Sequence, residues 1–246
     1  MYFQDDFSEM HMMFNQPVEF NVYEQEGKAA QSFTFYMKLP SFQMLHFDSD
    51  IKNLISLIHS SVTDLQSQFI YIQNFTSHYQ LLQGMALLKS KPLISYINII
   101  TNAFNKLGVN LEMGTELNPG KITIDGHIID EKLFTRMSRI ILMAAALKKS
   151  TDFIDDPVMR AYQEKIDKIK SQNKAAQNAN DQNFKEAYMI LTYEFGYKPE
   201  EILNMTQYAV TVILGYTSNS IRYKLTLIAA GNGNTKKVKF ITDKGK

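Results

Sequence analysis

The sequence predicts an α+β fold that is mainly α: an N-terminal β-hairpin followed by helices, a small central β element, and a C-terminal three-helix module. Three patterns predict it. Apolar residues alternate near the start of the chain, recur at three- and four-residue spacing over most of the rest, and are broken near the centre by an Asp-Gly pair between isoleucine-rich flanks.

Val18, Phe20 and Val22 alternate with Glu19, Asn21 and Tyr23, the period of a half-buried strand. Gly27-Lys28 marks a turn, and the aromatic run Ser32 to Met37 returns, giving a hairpin over 17–38 closed by Pro40. From Asp48, a helix cap, Ile51, Leu54, Ile55 and Ile58 mark an amphipathic helix. Tyr79, Leu82, Met85 and Ala86 carry another. Pro92 opens a third, whose Ile94, Ile97, Ile100, Ala103 and Phe104 share a face until Gly108. Asp125-Gly126 predicts a type I′ hairpin, because both turn positions need positive φ. Asp130 then caps a long helix through Leu133, Phe134, Met137, Ile140, Ile141 and Ala144, expected to end at Lys148-Lys149. Asp155-Asp156-Pro157 restarts helix. Residues 171–183 are polar and read as a linker.

Beyond the linker, Phe184, Ala187, Tyr188, Leu191 and Phe195 share a face before Gly196. Pro199 with Glu200 and Glu201 starts a helix carrying Ile202, Met205, Ala209, Val212 and Ile213 on one side, and a third helix takes Ile221, Leu225, Ile228 and Ala229. The expected organisation is an acidic, Met-rich arm (1–16), an α+β domain (17–170), the linker, a helical module (184–230) and a basic tail (231–246).

With 246 residues, 45% of them hydrophobic, the chain can bury a sizeable core. The formal charge of +1 leaves no global field to steer it onto nucleic acid or anionic lipid. Zero cysteines remove disulfides, thiolate metal sites and cysteine nucleophiles. The first residues, Met1-Tyr2-Phe3-Gln4-Asp5-Asp6, lack the features of a secretion signal, so the cytoplasm is the expected location, and the apolar run Ile140 to Leu147 is too short to span a bilayer.

Reactive chemistry finds little support. His11, His46, His59, His78 and His127 are too far apart for a metal-binding His pair, nothing in the spacing ties a particular serine to one of them, and no cofactor is expected. The Gly231 to Lys236 run lacks the strand and helix that frame a phosphate loop. Tyr71, Tyr79, Tyr96 and Tyr188 are not interleaved with basic residues as single-strand binders require, and the lysines of the tail read as a solvated, solubilising end.

Two stretches carry a resemblance. One is Ile122 to Phe134 with Arg139-Ile140-Ile141-Leu142. The other is Asp156-Pro157, a polar linker, Phe184-Lys185-Glu186-Ala187 and the run Gly196-Tyr197-Lys198-Pro199-Glu200-Glu201-Ile202 with Met205-Thr206. Over roughly residues 120–235 these resemble the tail-gene proteins of tailed bacteriophages, in particular the helical tail assembly chaperones. The resemblance implies a non-enzymatic protein without catalytic residues that binds tape-measure and tail-tube proteins in the host cytoplasm. The unmatched N-terminal half admits a subunit retained in the virion, in tail, baseplate or neck, and an enzyme or nucleic-acid-associated factor is the remaining class. A homo-oligomer is expected. The apolar faces of Tyr188, Leu191, Phe195, Ile202, Met205 and Val212 are the expected partner surface, suited to an amphipathic helical ligand.

Overall fold

The computed structural model describes residues 1–26, 29–72, 74–88, 90–114, 120–147 and 180–215. Among these residues, two small three-stranded antiparallel sheets sit in a mainly helical chain, an α+β architecture. The Gly27-Lys28 turn, the Asp155–Pro157 helix start, linker residues 171–179, the helix expected from Ile221 and the basic tail lie outside the described residues.

The first sheet has the order β1 (Tyr2–Asp5), β2 (Val18–Glu26), β3 (Ala29–Met37). Alternation decides which face is buried: Val18, Phe20, Val22, Phe35 and Met37 point into the core, and Phe20 stacks on its cross-strand partner Phe35 with ring centroids 4.9 Å apart. Gln4, Asn21 and Thr34 line up on the outer face. Strand β1 and helix α1 (Glu9–Phe14) lie within the first sixteen residues, where the sequence shows no strand alternation. The reason is Asp5, which pairs with Phe20 on the inward side. Its carboxylate is neutralised there by Arg136, whose Nε and Nη2 donate over 2.8 and 2.9 Å while the guanidinium lies 5.5 Å from the Phe7 ring centroid.

Helices α2 (Phe42–Phe47), α3 (Ser49–His59), α4 (Val62–Gln68), α5 (His78–Leu88) and α6 (Lys91–Lys106) follow. The Asp48 carboxylate accepts from the amides of Asp50 and Ile51, holding the start of α3, and Ile51, Leu54, Ile55, Leu57 and Ile58 face the core. The second sheet comprises β4 (Leu111–Met113), β5 (Ile122–Ile124) and β6 (His127–Ile128). Asp125 and Gly126 have φ of 49° and 83°, the two positive values the hairpin requires.

Asp130 caps α7 (Glu131–Ala144) by accepting from the amide of Leu133. This helix stops short of the expected lysine pair. The amides of Ala146 and Leu147 return to the carbonyls of Met143 and Leu142, with Ala146 left-handed at φ 55°. An alanine fills a position where glycine is usual, so the residue type does not advertise the stop.

Two further departures concern the C-terminal segment. Helix α8 (Asn180–Phe195) begins inside the polar stretch 171–183. The single helix expected from Pro199 through Ile213 is broken: α9 (Pro199–Asn204) ends, Met205 is extended at φ −64° and ψ 155°, and α10 covers residues 207–215.

Helix α3 packs on α6 and α7, and α5 packs on the same pair. These helices, both sheets, Met12 of α1 and Leu65 of α4 share one continuous core. Tyr79 closes it near α7 by donating its hydroxyl to the Ile129 carbonyl at 2.6 Å, and burial raises its ionisation above the usual tyrosine range. A second, smaller cluster joins Phe42 to Ala187, Leu191, Ile202 and Val210.

Candidate functional site

The candidate surface is the C-terminal helical segment, and its local geometry follows from the residues that carried the resemblance. Gly196 ends α8 at φ 70°, its amide donating to the Thr192 carbonyl and the next amide, Tyr197, to Leu191. Pro199 stands in the first turn of α9, where its missing N–H costs nothing. The Glu201 carboxylate reaches back to accept from the Lys198 amide at 2.7 Å. Ile202 is fully buried. Met205 and Thr206 then leave the helix to meet Ser41 and Phe42: the Phe42 amide donates to the Met205 carbonyl at 2.5 Å, and Ser41 forms an antiparallel bridge with Thr206.

Thr206 is the pivot of this junction. It is fully buried, its Oγ1 donates to the Met12 carbonyl at 2.6 Å, and the same oxygen accepts the Ala209 amide at 3.1 Å, capping α10. Asn15 Nδ2 donates to the Asn204 carbonyl, the Tyr208 hydroxyl donates to the Glu9 carboxylate, and His46 Nε2 lies 3.4 Å from Gln207 Oε1. Residues 204–208 therefore lie between α1 and α2, bonded to both.

The residues expected to meet a partner separate into two groups. Leu191 and Ile202 are fully buried beside Phe42, while Tyr188 and Met205 are half-buried against that cluster, so these four stabilise the junction. Val212 is half-buried on α10, and Phe195 is 45% exposed. The residues that do face solvent on α8 include Met189 at 50% and Tyr193 at 75%, four residues apart and so on one side of the helix. The sequence contains their signal as apolar residues lying off the Ala187–Leu191 stripe. Large apolar side chains in excess of what one buried face can use have to lie in solvent or meet something else. Met10 and Phe14, also four apart, are exposed on α1, and Phe47 is exposed at the end of α2.

One reactive-looking constellation that the spacing does not reveal is assembled at the start of α1. Ser8 Oγ lies 2.9 Å from His11 Nδ1, and His11 Nε2 lies 3.3 Å from Asp6 Oδ2, whose other oxygen accepts from the Glu19 amide. The Ser8 backbone N–H also points at Nδ1, at 3.2 Å. That nitrogen is therefore the acceptor and Nε2 carries the proton donated to Asp6. The Nδ1 lone pair that a general base would need is already shared with the helix-capping amide, so the group acts as a cap in which histidine takes the place of the usual acid.

Among the described residues, no group of three or more His, Asp or Glu side chains is placed to hold a metal ion, and no helix is long and apolar enough to cross a membrane. No protein-family model, curated protein or solved structure matches the chain.

Proposed function

We propose that this chain is a non-enzymatic assembly protein of a bacteriophage tail, which binds tape-measure and tail-tube proteins in the host cytoplasm through the outer side of its C-terminal helices. The observation that carries the reading is the solvent-facing pair Met189 and Tyr193 on α8, behind the stripe that builds the second cluster. Methionine adapts its shape at little cost and tyrosine offers a rigid apolar body with a polar tip, a combination suited to the apolar stripe of a partner helix. The resemblance of residues 120–235 to tail assembly chaperones supplies the partner class. Co-expression with the tape-measure and tail-tube proteins of the same gene module should give a complex recovered by pulldown. Met189→Asp with Tyr193→Asp should weaken it at least tenfold while leaving the folded signal intact. A chain that recovers neither partner defeats the proposal.

A second reading, a permanent subunit of the tail, baseplate or neck, is favoured by one feature. Residues 204–208 are built into the N-terminal half through buried Thr206, so the partner surface is attached to a body rather than carried on a free module. Mass spectrometry of purified particles separates the two readings, since a chaperone is absent from the finished virion and a subunit is present.

A further inference from the structure

Strand β3 forms one edge of the first sheet, and among the described residues it lacks the protection that edges ordinarily have. It runs nine residues, Ala29–Met37, with no charged residue and no proline, and it pairs with β2 one residue to one residue from end to end, without a bulge. No other described strand or helix runs alongside it. Among the described residues, its outward backbone is met near its end, where the Lys38 amide donates to the Leu107 carbonyl at 2.7 Å and the Tyr36 carbonyl faces Gly108, and on the core side the Phe33 ring stacks on His127 of β6 with centroids 4.2 Å apart. Backbone groups alternate sides along an antiparallel strand, so those of Ser32 and Thr34, in step with Tyr36 and Lys38, also point away from β2. The opposite edge is short and carries a charge. Strand β1 is four residues long, and its Asp5 is tied to Arg136 of α7.

We propose that β3 pairs with β3 of a second copy of this chain, joining the two three-stranded sheets into one of six strands. The pairing is antiparallel and isologous, with the two-fold axis at Thr34. Placed there, Thr34 of each chain exchanges two backbone hydrogen bonds with its counterpart, Ser32 faces Tyr36, and Phe33 faces Phe35 on the core side. An identical partner normally sets like charges against each other across a dyad. Here the strand carries none, while the aromatic pairing across it is favourable. The absence of charge that leaves an edge open to indiscriminate pairing is also what lets a copy of itself fit. This inference does not depend on the phage reading.

The test uses the full-length chain in sedimentation velocity at micromolar concentrations, where the unmodified protein should sediment with twice the mass of one chain. Thr34 is exposed, and the bond lost on its replacement is the one its hydroxyl donates to Asn21. Thr34→Lys and Thr34→Asp each place like charges together on the axis and should each weaken association at least tenfold. An equimolar mixture of the two should restore the double-mass species as a heterodimer. Ser32→Pro removes an outward amide that makes no bond to β2 but would bond the second copy, and it gives the same loss if either Thr34 variant proves unfolded by circular dichroism. An unmodified chain that remains a monomer overturns the proposal, and so does a dimer that survives all three substitutions.

Discussion

At the scale of single residues, the junction between the two halves depends on one hydroxyl. Thr206 Oγ1 donates to the Met12 carbonyl and accepts from the Ala209 amide, and it does both in a position sealed from water. Thr206→Val keeps the shape and removes both bonds, leaving a buried carbonyl and a helix-start amide unmatched. It should lower the unfolding free energy by about 2 kcal/mol, whereas Thr206→Ser, which keeps the hydroxyl, should lose much less. Chemical denaturation of the full chain decides the matter, and equal effects from the two variants would show that the hydroxyl is not the cause. This role is not visible in the sequence, because a threonine that caps a helix and one that sits within it look alike. Asp5 and Met12 were hidden for a related reason: the partner that makes each position intelligible, Arg136 or the 204–208 segment, is more than a hundred residues away.

At the scale of elements, long amphipathic helices with caps were legible and short ones were not. Helices α3, α5, α6 and α7 each repeat an apolar stripe over three turns or more, and Asp48, Pro92 and Asp130 mark the starts of α3, α6 and α7. Helices α1, α2 and α4 have six or seven residues, too few for a period to emerge, and they are held by contacts rather than by propensity. The start of α3 also carries a pH dependence. Burial pushes the Asp48 carboxyl up, but the Lys106 ammonium 2.8 Å away and the amides of Ile51 and Asp50 outweigh it and hold the group below the ordinary aspartate value. A lowered folded-state value means that the stabilisation is complete above the ordinary aspartate range and disappears as the pH falls through the lower, folded value. Lys106 is shifted the other way by hydrogen bonds to Asp48 and Asp50, so its part is present at neutral pH and disappears only as the pH rises beyond the ordinary lysine range. Asp48→Asn should flatten the acid limb of stability against pH while lowering the neutral region only slightly, because asparagine caps a helix about as well as aspartate. An unchanged acid limb in thermal melts from neutral pH down to strong acid would remove Asp48 from the account.

At the scale of the whole molecule, the smaller cluster borrows its centre from the other half of the chain. Phe42, 1% exposed, sits among Ala187, Leu191, Ile202 and Val210, which come from α8, α9 and α10. Phe42→Ala should cost about 3–5 kcal/mol locally. It should accelerate amide hydrogen exchange in α8 and α9 much more than in α3, α6 or α7, whose core it does not enter. Uniform acceleration would show that the two clusters unfold as one. The same arrangement explains which part of the proposed partner surface could be read in advance. The stripe Ala187–Leu191 and the positions Ile202 and Met205 form an apolar face, yet that face is turned inward onto Phe42, and the apolar residues on the outward side of α8 are Met189 and Tyr193. Periodicity and capping chemistry are local, so residue order was enough to settle the class of fold, the Asp125-Gly126 hairpin and the long helices. Whether an apolar face meets its own chain or is left for a partner depends on residues distant in sequence, here Phe42 and Thr206. The break between α9 and α10 likewise exists because Ser41 and Met12 supply bonding partners to Met205 and Thr206, and only the folded arrangement brings those groups together.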